Sequence, residues 1–211
     1  MVDGGRHRIL LAAMVTSANI TDNIPMLDLI RWGRFRWHIH PCIAVADSQY
    51  GTVDNIVGLF ADGILPFTPR TDFRKPNKYT YDQFQYDREQ NVYYCPQGHI
   101  LKPGSLDRDH RTIIYQASIK SCRPCPVRAQ CTTAKEKGRR ISRSYFQDDL
   151  DRASALRQTS DYAKAMRKRS VWVEPKFGEA KQWHGLYRFR LRRLWRVNIE
   201  ALLIASVQNL K

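Results

Sequence analysis

The stretch Cys42-Ile-Ala-Val-Ala-Asp-Ser-Gln-Tyr-Gly51 decides the fold class. A short apolar run that ends in Asp47 and continues into turn residues is typical of a buried strand with a carboxylate at its C-terminal tip. Thr52 can cap a following helix that ends before Gly63, and residues 64–67 form a second short apolar run. Strand, helix and strand in this order predict an α/β fold, whose sites lie at such strand tips.

The segment upstream of this stretch carries two further elements. Arg8 to Thr16 is rich in Ile, Leu and Val and is predicted to be a strand, although its Leu, Ala and Met also suit a short helix. Asp22 or Asn23 can cap a helix that has Pro25 in its first turn and runs on to Gly33. These elements extend the alternation of strands and helices toward the N-terminus.

The downstream chain divides into an insertion and a helical part. Residues 1–66 are predicted to form the first part of the core and residues 67–143 an inserted lobe with strands at 86–94 and 112–118. Residues 144–211 are predicted to be helical and to complete the core. Their last stretch has apolar residues at helical spacing that are predicted to be buried: Leu191, Leu194, Trp195, Ile199, Leu202, Leu203 and Leu210.

A second decisive stretch is Arg169-Ser-Val-Trp-Val-Glu-Pro-Lys-Phe-Gly-Glu-Ala-Lys181. Pro175 predicts that one helix ends or kinks near Val173, or that a new helix begins near Glu174. A helix here puts Glu174 and Lys181 on one face, because residues seven positions apart line up. Only tertiary folding can bring Glu174 to Asp47. Two such carboxylates could bind divalent metals, whereas an isolated Glu is usually a solvated surface group.

Composition narrows the class of partner. The chain has 211 residues, is 43% hydrophobic and carries a formal net charge of +15. Its longest apolar run, Ile9 to Val15, is too short to span a bilayer, and no apolar signal segment opens the chain. We therefore expect a soluble cytoplasmic protein without a membrane partner. The excess of positive charge favours a polyanion such as nucleic acid, although charge alone is a weak indication.

Three segments carry a family resemblance. Val45–Gly51, Val173–Lys181 and Ala205–Lys211 resemble the C-terminal two-thirds of a DDE transposase of a bacterial insertion sequence, and the resemblance covers nearly the whole chain. The string Glu-Pro-x-Phe-Gly-x-x-Lys is its most specific part. The resemblance implies a ribonuclease H-like core, a mixed sheet flanked by helices, with an inserted small β-containing lobe. It also implies DNA strand cleavage and transfer with two Mg²⁺ or Mn²⁺ ions per complete site.

The resemblance assigns roles to individual residues. Asp47 matches the second catalytic Asp of the family and Glu174 matches its catalytic Glu. Lys181 matches a basic residue seven positions after that Glu, and Arg169 an upstream Arg; in related enzymes both contact DNA phosphates, while either could here be a solvated charge. The implied partner is double-stranded DNA at transposon ends, with a homodimer on the DNA allowed. A basic face beside Glu174 is predicted from Lys176, Lys181, Arg188, Arg190, Arg192 and Arg193.

The chain departs from the family at its front. The first catalytic Asp of the family would precede a hairpin that resembles Arg8 to Thr16, and Asp3 is the only acid there. Asp3 lies in a Gly-rich turn, where Asp is commonly a turn former. We expect a core that is incomplete at its N-terminus and a truncated, inactive fragment, with Asp3 as the alternative first acid. The competing function is a non-catalytic basic DNA-binding module with a zinc-stabilised insertion.

The cysteines form a separate constellation. Cys122-Arg-Pro-Cys125 is followed by Cys131, and Cys95-Pro-Gln-Gly-His99 offers a fourth ligand as thiol or imidazole. The CxxC spacing suits a structural Zn²⁺ site, and in a reducing compartment a metal is more plausible than a disulfide. The alternative is a cluster of free buried thiols. Cys42 is predicted to be buried in the core.

Overall fold

The computed structural model describes residues 1–2, 7–69 and 79–210. The chain divides into two compact units, the first formed by Met1–Thr71 with Asp148–Lys211 and the second by Asp72–Gln147. Asp3, the alternative first acid, lies outside the described residues. No helix in the described part of the chain combines the length and apolar character that a membrane crossing requires.

The first unit contains a parallel pair of strands among helices. Its elements are α1 (Met26–Trp37), β1 (Ile43–Val45), α2 (Val53–Ala61), β2 (Leu65–Phe67), α5 (Gln147–Leu156), α6 (Ser160–Trp172), α7 (Glu174–Trp183) and α8 (Leu194–Asn209). α5 begins at the boundary between the units. A short 3₁₀ turn at Ser48–Tyr50 follows β1.

The predicted strand, helix and strand around Asp47 are confirmed. β1 pairs in parallel with β2, and α2 connects them. The Thr52 hydroxyl accepts a hydrogen bond from the Asn55 N–H at 3.3 Å, and Gly63 ends α2 at a φ of +74°. Such a left-handed residue after a helix favours glycine, which has no Cβ to clash. Leu59 and Ile64 lie fully buried beside the strands.

The starts of two later helices are well defined. α6 is capped by Thr159, whose hydroxyl accepts the Tyr162 N–H at 3.2 Å. α6 packs on the strand pair, where the Tyr162 and Phe67 ring centroids lie 5.3 Å apart. α7 begins at Glu174, which confirms the new helix signalled by Pro175, since proline is tolerated in a first turn.

The second unit is built on an antiparallel sheet with the order β3-β4-β5-β6-β7. Its elements are β3 (Gln85–Asp87), β4 (Val92–Tyr94), β5 (Ile100–Asp107), β6 (Thr112–Ala117), α3 (Ile119–Cys122), α4 (Arg128–Cys131) and β7 (Arg140–Ser144). Tyr93, Leu101 and Tyr115 form the centre of its core. The described chain is thus mixed α/β, with its parallel and antiparallel pairings in separate sheets.

The predicted strand at Arg8 to Thr16 is wrong. The segment makes one isolated bridge, between Val2 and Leu10, and is otherwise irregular. Side chains of α8 bind its backbone instead. Asn209 exchanges two hydrogen bonds with Leu10, at 2.8 and 2.9 Å, and Asn198 does the same with Val15 at the same distances. These amides satisfy backbone groups that a neighbouring strand would otherwise pair.

The expected burial of the C-terminal apolar residues is also wrong. α8 is apolar on most of its circumference, but only Ala201, Ile204 and Gln208 are buried. The exposed residues include all seven of the expected core residues: Leu191, Leu194, Trp195, Ile199, Leu202, Leu203 and Leu210. Helical periodicity identifies a helix here, but it does not reveal how many of its faces are covered. Cys42, predicted to be buried, is exposed as well, and so is the neighbouring Ile43 at the start of β1.

Candidate active site

One guanidinium brings Asp47 and Glu174 together. Arg169 Nη2 lies 3.4 Å from Asp47 Oδ2, and Arg169 Nη1 lies 3.2 Å from Glu174 Oε1. Both contacts are hydrogen-bonded ion pairs. The two terminal nitrogens of one guanidinium therefore each contact one of two acids that are distant in sequence.

The packing of α6 explains this meeting. Asp47 lies two residues after β1 ends at Val45, and its Oδ1 accepts the Gln49 N–H at 2.9 Å. α6 lies on β1 and β2, so that Arg169, near its end, reaches the strand tip. Glu174 then opens α7, where the positive end of the helix dipole stabilises an anion. Local capping and helix packing thus fix all three side chains.

The site is open to solvent. The Asp47 and Glu174 side chains are 42% and 57% exposed, whereas Arg169 is 20% exposed. A cationic side chain therefore lies between two accessible carboxylates. No three His, Cys, Asp or Glu side chains within residues 1–2, 7–69 and 79–210 are grouped so as to hold a metal ion.

Tyr50 is a neighbour of the site that the sequence did not single out. Burial raises the pKa of its phenol, the carboxylates of Asp22 and Asp47 raise it further, and Arg169 opposes the rise. The phenol therefore stays protonated near neutral pH and remains a hydrogen-bond donor. Its only sequence signal is its position three residues after Asp47.

The predicted basic residues on α7 differ in their surroundings. Lys176 is half-buried and donates to the Gln208 carbonyl at 3.2 Å, while Gln208 donates back to the Lys176 carbonyl at 2.8 Å. This exchange ties α7 to α8, so Lys176 has a structural role. Lys181 is exposed, with its ammonium 5.9 Å from the Tyr187 ring centroid.

The remaining predicted basic residues lie in the segment between α7 and α8. Both carboxylate oxygens of Glu200 accept the Arg190 N–H at 3.0 Å, and Oε2 accepts the Leu191 N–H at the same distance. These backbone hydrogen bonds lower the pKa of Glu200. They fix the segment and leave its four arginine side chains accessible: Arg188, Arg190, Arg192 and Arg193.

In the second unit, all five predicted zinc ligands line one cavity of about 20 Å³: Cys95, His99, Cys122, Cys125 and Cys131. All the cysteines are free thiols; Cys122 and Cys131 are buried, and Cys95 and Cys125 are half-buried. Burial raises the pKa of Cys131, nearby Arg139 lowers it, and the other three thiols raise it. The folding therefore gathers these residues without forming a coordination group among the described side chains.

The chain also matches a known family along more than half its length. A family model described as a transposase DDE domain matches residues 94–211. The matched range contains Glu174, the arginine segment and all four cysteines that line the cavity, whereas Asp47 lies upstream of it. No curated protein and no solved structure matches the chain.

Proposed function

The chain belongs to the transposase DDE domain family, and we propose that Asp47 and Glu174 supply two of the carboxylates of its catalytic site. The family identifies the activity as transposition-related cleavage and transfer of DNA strands, with transposon ends as the DNA partner. One observation carries the residue assignment: Arg169 contacts both acids, although they come from separate elements.

The donor set suits a hard divalent cation. Mg²⁺ and Mn²⁺ prefer carboxylate oxygens, and Mg²⁺ is usually bound by one or two protein carboxylates with water. Asp47 and Glu174 are exposed enough to exchange Arg169 for such an ion. When bound, paired metals stabilise the negative charge on the attacking and leaving oxygens of a phosphodiester.

The residues of the chain have distinct tasks in this proposal. Asp47 and Glu174 would hold the cations, and the hydrogen bond from the Gln49 N–H keeps Asp47 near the strand tip. Arg169 would then be available to a DNA phosphate, which a guanidinium binds through two N–H groups. The parallel strand pair with an acid at its tip, and a second acid on a later helix, supports a ribonuclease H-like core.

DNA binding is assigned to Lys181 and the arginine segment between α7 and α8. Arg190 interacts electrostatically with the Glu200 carboxylate. The other side chains of this set make no ion pair with a carboxylate that the structure describes, in contrast to Arg169. Phosphate contacts from Lys and Arg release counterions and give affinity without sequence specificity. The Glu200 hydrogen bonds hold the segment in place and so lower the entropy cost of binding.

The chain by itself is proposed to bind DNA without cutting it. Asp47 and Glu174 form a pair of acids with no third ligand-type side chain grouped with them among the described residues. Two metals at close range repel unless several acids bridge them. The assay is incubation of the chain with plasmid DNA and Mg²⁺ or Mn²⁺, and the expected result is a gel shift without nicks.

Three variants make this assay decisive: Asp47→Ala, Glu174→Ala and Asp3→Ala. Nicking by the intact chain that disappears in all three would overturn the proposed inactivity and identify Asp3 as the first acid. Nicking that persists in Asp47→Ala and Glu174→Ala would overturn the catalytic assignment itself. A contaminating nuclease is detected by a mock preparation, purified in the same way from cells that do not produce the chain, which should leave the plasmid intact.

A further inference from the structure

The geometry of the second unit points to a structural zinc site: we propose that Cys95, Cys122, Cys125 and Cys131 bind one Zn²⁺ in the cavity that they line. Free cysteines often act as small apolar core residues, and Cys122 and Cys131 do lie in the hydrophobic cluster of this unit. Three further observations separate this cluster from a group of thiols that merely pack together.

The first observation is the backbone that presents the thiols. The Cys95 N–H donates to the His99 carbonyl at 2.9 Å, and the Gly98 N–H donates to the Cys95 carbonyl at 2.8 Å, which closes a tight turn between β4 and β5. The Cys125 N–H donates to the Cys122 carbonyl at 3.3 Å in a second turn. Structural zinc sites are usually formed by cysteines on tight turns, because closely spaced thiols can occupy two positions of a tetrahedral ion.

The second observation is the space between the thiols. The cavity of about 20 Å³ has room for one water-sized atom, since roughly 10–15 Å³ is enough for a water. Each Zn–S bond measures about 2.3 Å, so a small cavity surrounded by sulfur suits the ion. The described side chains do not form a metal-binding group as they stand, so binding requires them to rotate toward the cavity.

The third observation is Arg139. Arg139 lines the cavity, and its guanidinium donates to the Cys131 carbonyl at 2.6 Å and to the Tyr79 carbonyl at 3.0 Å. Its buried Nε has no partner among the described residues. Four thiolates around Zn²⁺ carry excess negative charge, which an adjacent guanidinium offsets. A buried N–H donor beside thiolate sulfur also gains the acceptor that it lacks.

The proposed site stabilises the second unit. α3 and α4 have four residues each, too few to be stable alone, and both end in a cysteine of the cluster. A metal that joins their ends to the turn after β4 would fix this irregular part of the unit. His99 lines the cavity but is assigned no metal bond, because the four thiols complete a tetrahedron.

Zinc content is the direct test. The chain, purified without chelator or a metal-affinity step, should contain about one zinc per molecule by elemental analysis, since structural sites bind tightly. The double variant Cys122→Ser/Cys125→Ser should lose it, and Cys42→Ser, which alters the exposed cysteine outside the cavity, should retain it. Less than about a tenth of an equivalent in the intact chain, or retention by the double variant, overturns the proposal.

A second measurement uses the intact chain, so that a variant that fails to fold cannot decide the outcome. The native protein is treated with an alkylating reagent before and after zinc is removed by a chelator, and each cysteine is followed by mass spectrometry. Half-buried Cys95 and Cys125 should become reactive only after removal, while exposed Cys42 reacts in both samples. Equal labelling of Cys95 and Cys125 in the two samples contradicts zinc ligation.

Discussion

Arg169→Gln should tighten the binding of Mn²⁺ to the candidate site. In the absence of metal, the Arg169 guanidinium contacts Asp47 at 3.4 Å and Glu174 at 3.2 Å. A divalent ion that binds Asp47 and Glu174 must either break these contacts or lie beside the positively charged guanidinium. Glutamine keeps a polar side chain but removes the charge that competes with the metal.

The magnitude follows from distance and exposure. Two unit charges at 4 Å interact by about 1 kcal/mol in water, so a divalent ion beside the guanidinium is destabilised by about 2 kcal/mol. Displacing partly exposed ion pairs costs a further amount of at most about 1 kcal/mol each, because solvent screens them. Removing the charge should recover a moderate share of this repulsion and displacement cost. A gain of about 1.4 kcal/mol in the binding free energy corresponds to about tenfold tighter Mn²⁺ binding. The unfolding free energy of the variant should fall by less than about 1 kcal/mol.

Isothermal titration of Mn²⁺ into the chain without DNA measures this effect. Arg167→Gln removes the same charge from another position on α6 and should change the affinity only slightly, because salt screens it. Arg169→Lys, which keeps the charge, should bind Mn²⁺ about as the intact chain does. An unchanged Mn²⁺ affinity of Arg169→Gln would refute the competition between Arg169 and the metal. Weaker Mn²⁺ binding would show that Arg169 instead holds the two acids in place for the metal.

Three further predictions concern DNA binding and the two units. The double variant Arg190→Gln/Arg192→Gln removes two charges from the segment between α7 and α8. The slope of log DNA affinity against log salt concentration should become less steep by about 0.9 for each phosphate that is no longer neutralised. An unchanged slope would mean that these two arginines do not contact phosphates. Gly178→Ala, where an added Cβ meets open space on α7, should raise the unfolding free energy by up to about 1 kcal/mol; a denaturant titration measures the change, and a fall in stability contradicts the open space. Gly138→Ala should lower the stability of the second unit by about 1–3 kcal/mol, because its Cβ would overlap the Ala117 carbonyl; wild-type stability in the same titration contradicts that packing.

Local signals predict the part of the fold that holds the site. The Thr52 cap and Gly63 bound α2, and Pro175 marks the start of α7, because each acts through its own backbone geometry. The meeting of Asp47 with Glu174 depends on how α6 packs across the strands, and no pattern within either segment specifies it. The family resemblance supplies that pairing, and the matched family model supports the resemblance.

The errors share a cause, which is that tertiary contacts override local preference. β5 is hard to predict because Pro103 and Gly104 are poor strand formers; the structure accommodates them at a register shift between Pro103 and Leu106. Arg8 to Thr16 has strand-like composition, yet the amides of α8 bind its backbone. Periodicity in α8 indicates a helix, while the number of faces that other elements cover is not encoded in it.

The most direct test of the central proposal is Mn²⁺ binding to the intact chain, Asp47→Asn and Glu174→Gln, measured by titration under one buffer condition. Asp161→Asn is the matched control, since Asp161 is an exposed acid on α6. If Asp47 and Glu174 share a metal, each of their amide variants should bind Mn²⁺ at least about tenfold more weakly, while Asp161→Asn binds as the intact chain does. Equal Mn²⁺ affinity in all of these proteins would contradict the assignment of Asp47 and Glu174 as metal ligands.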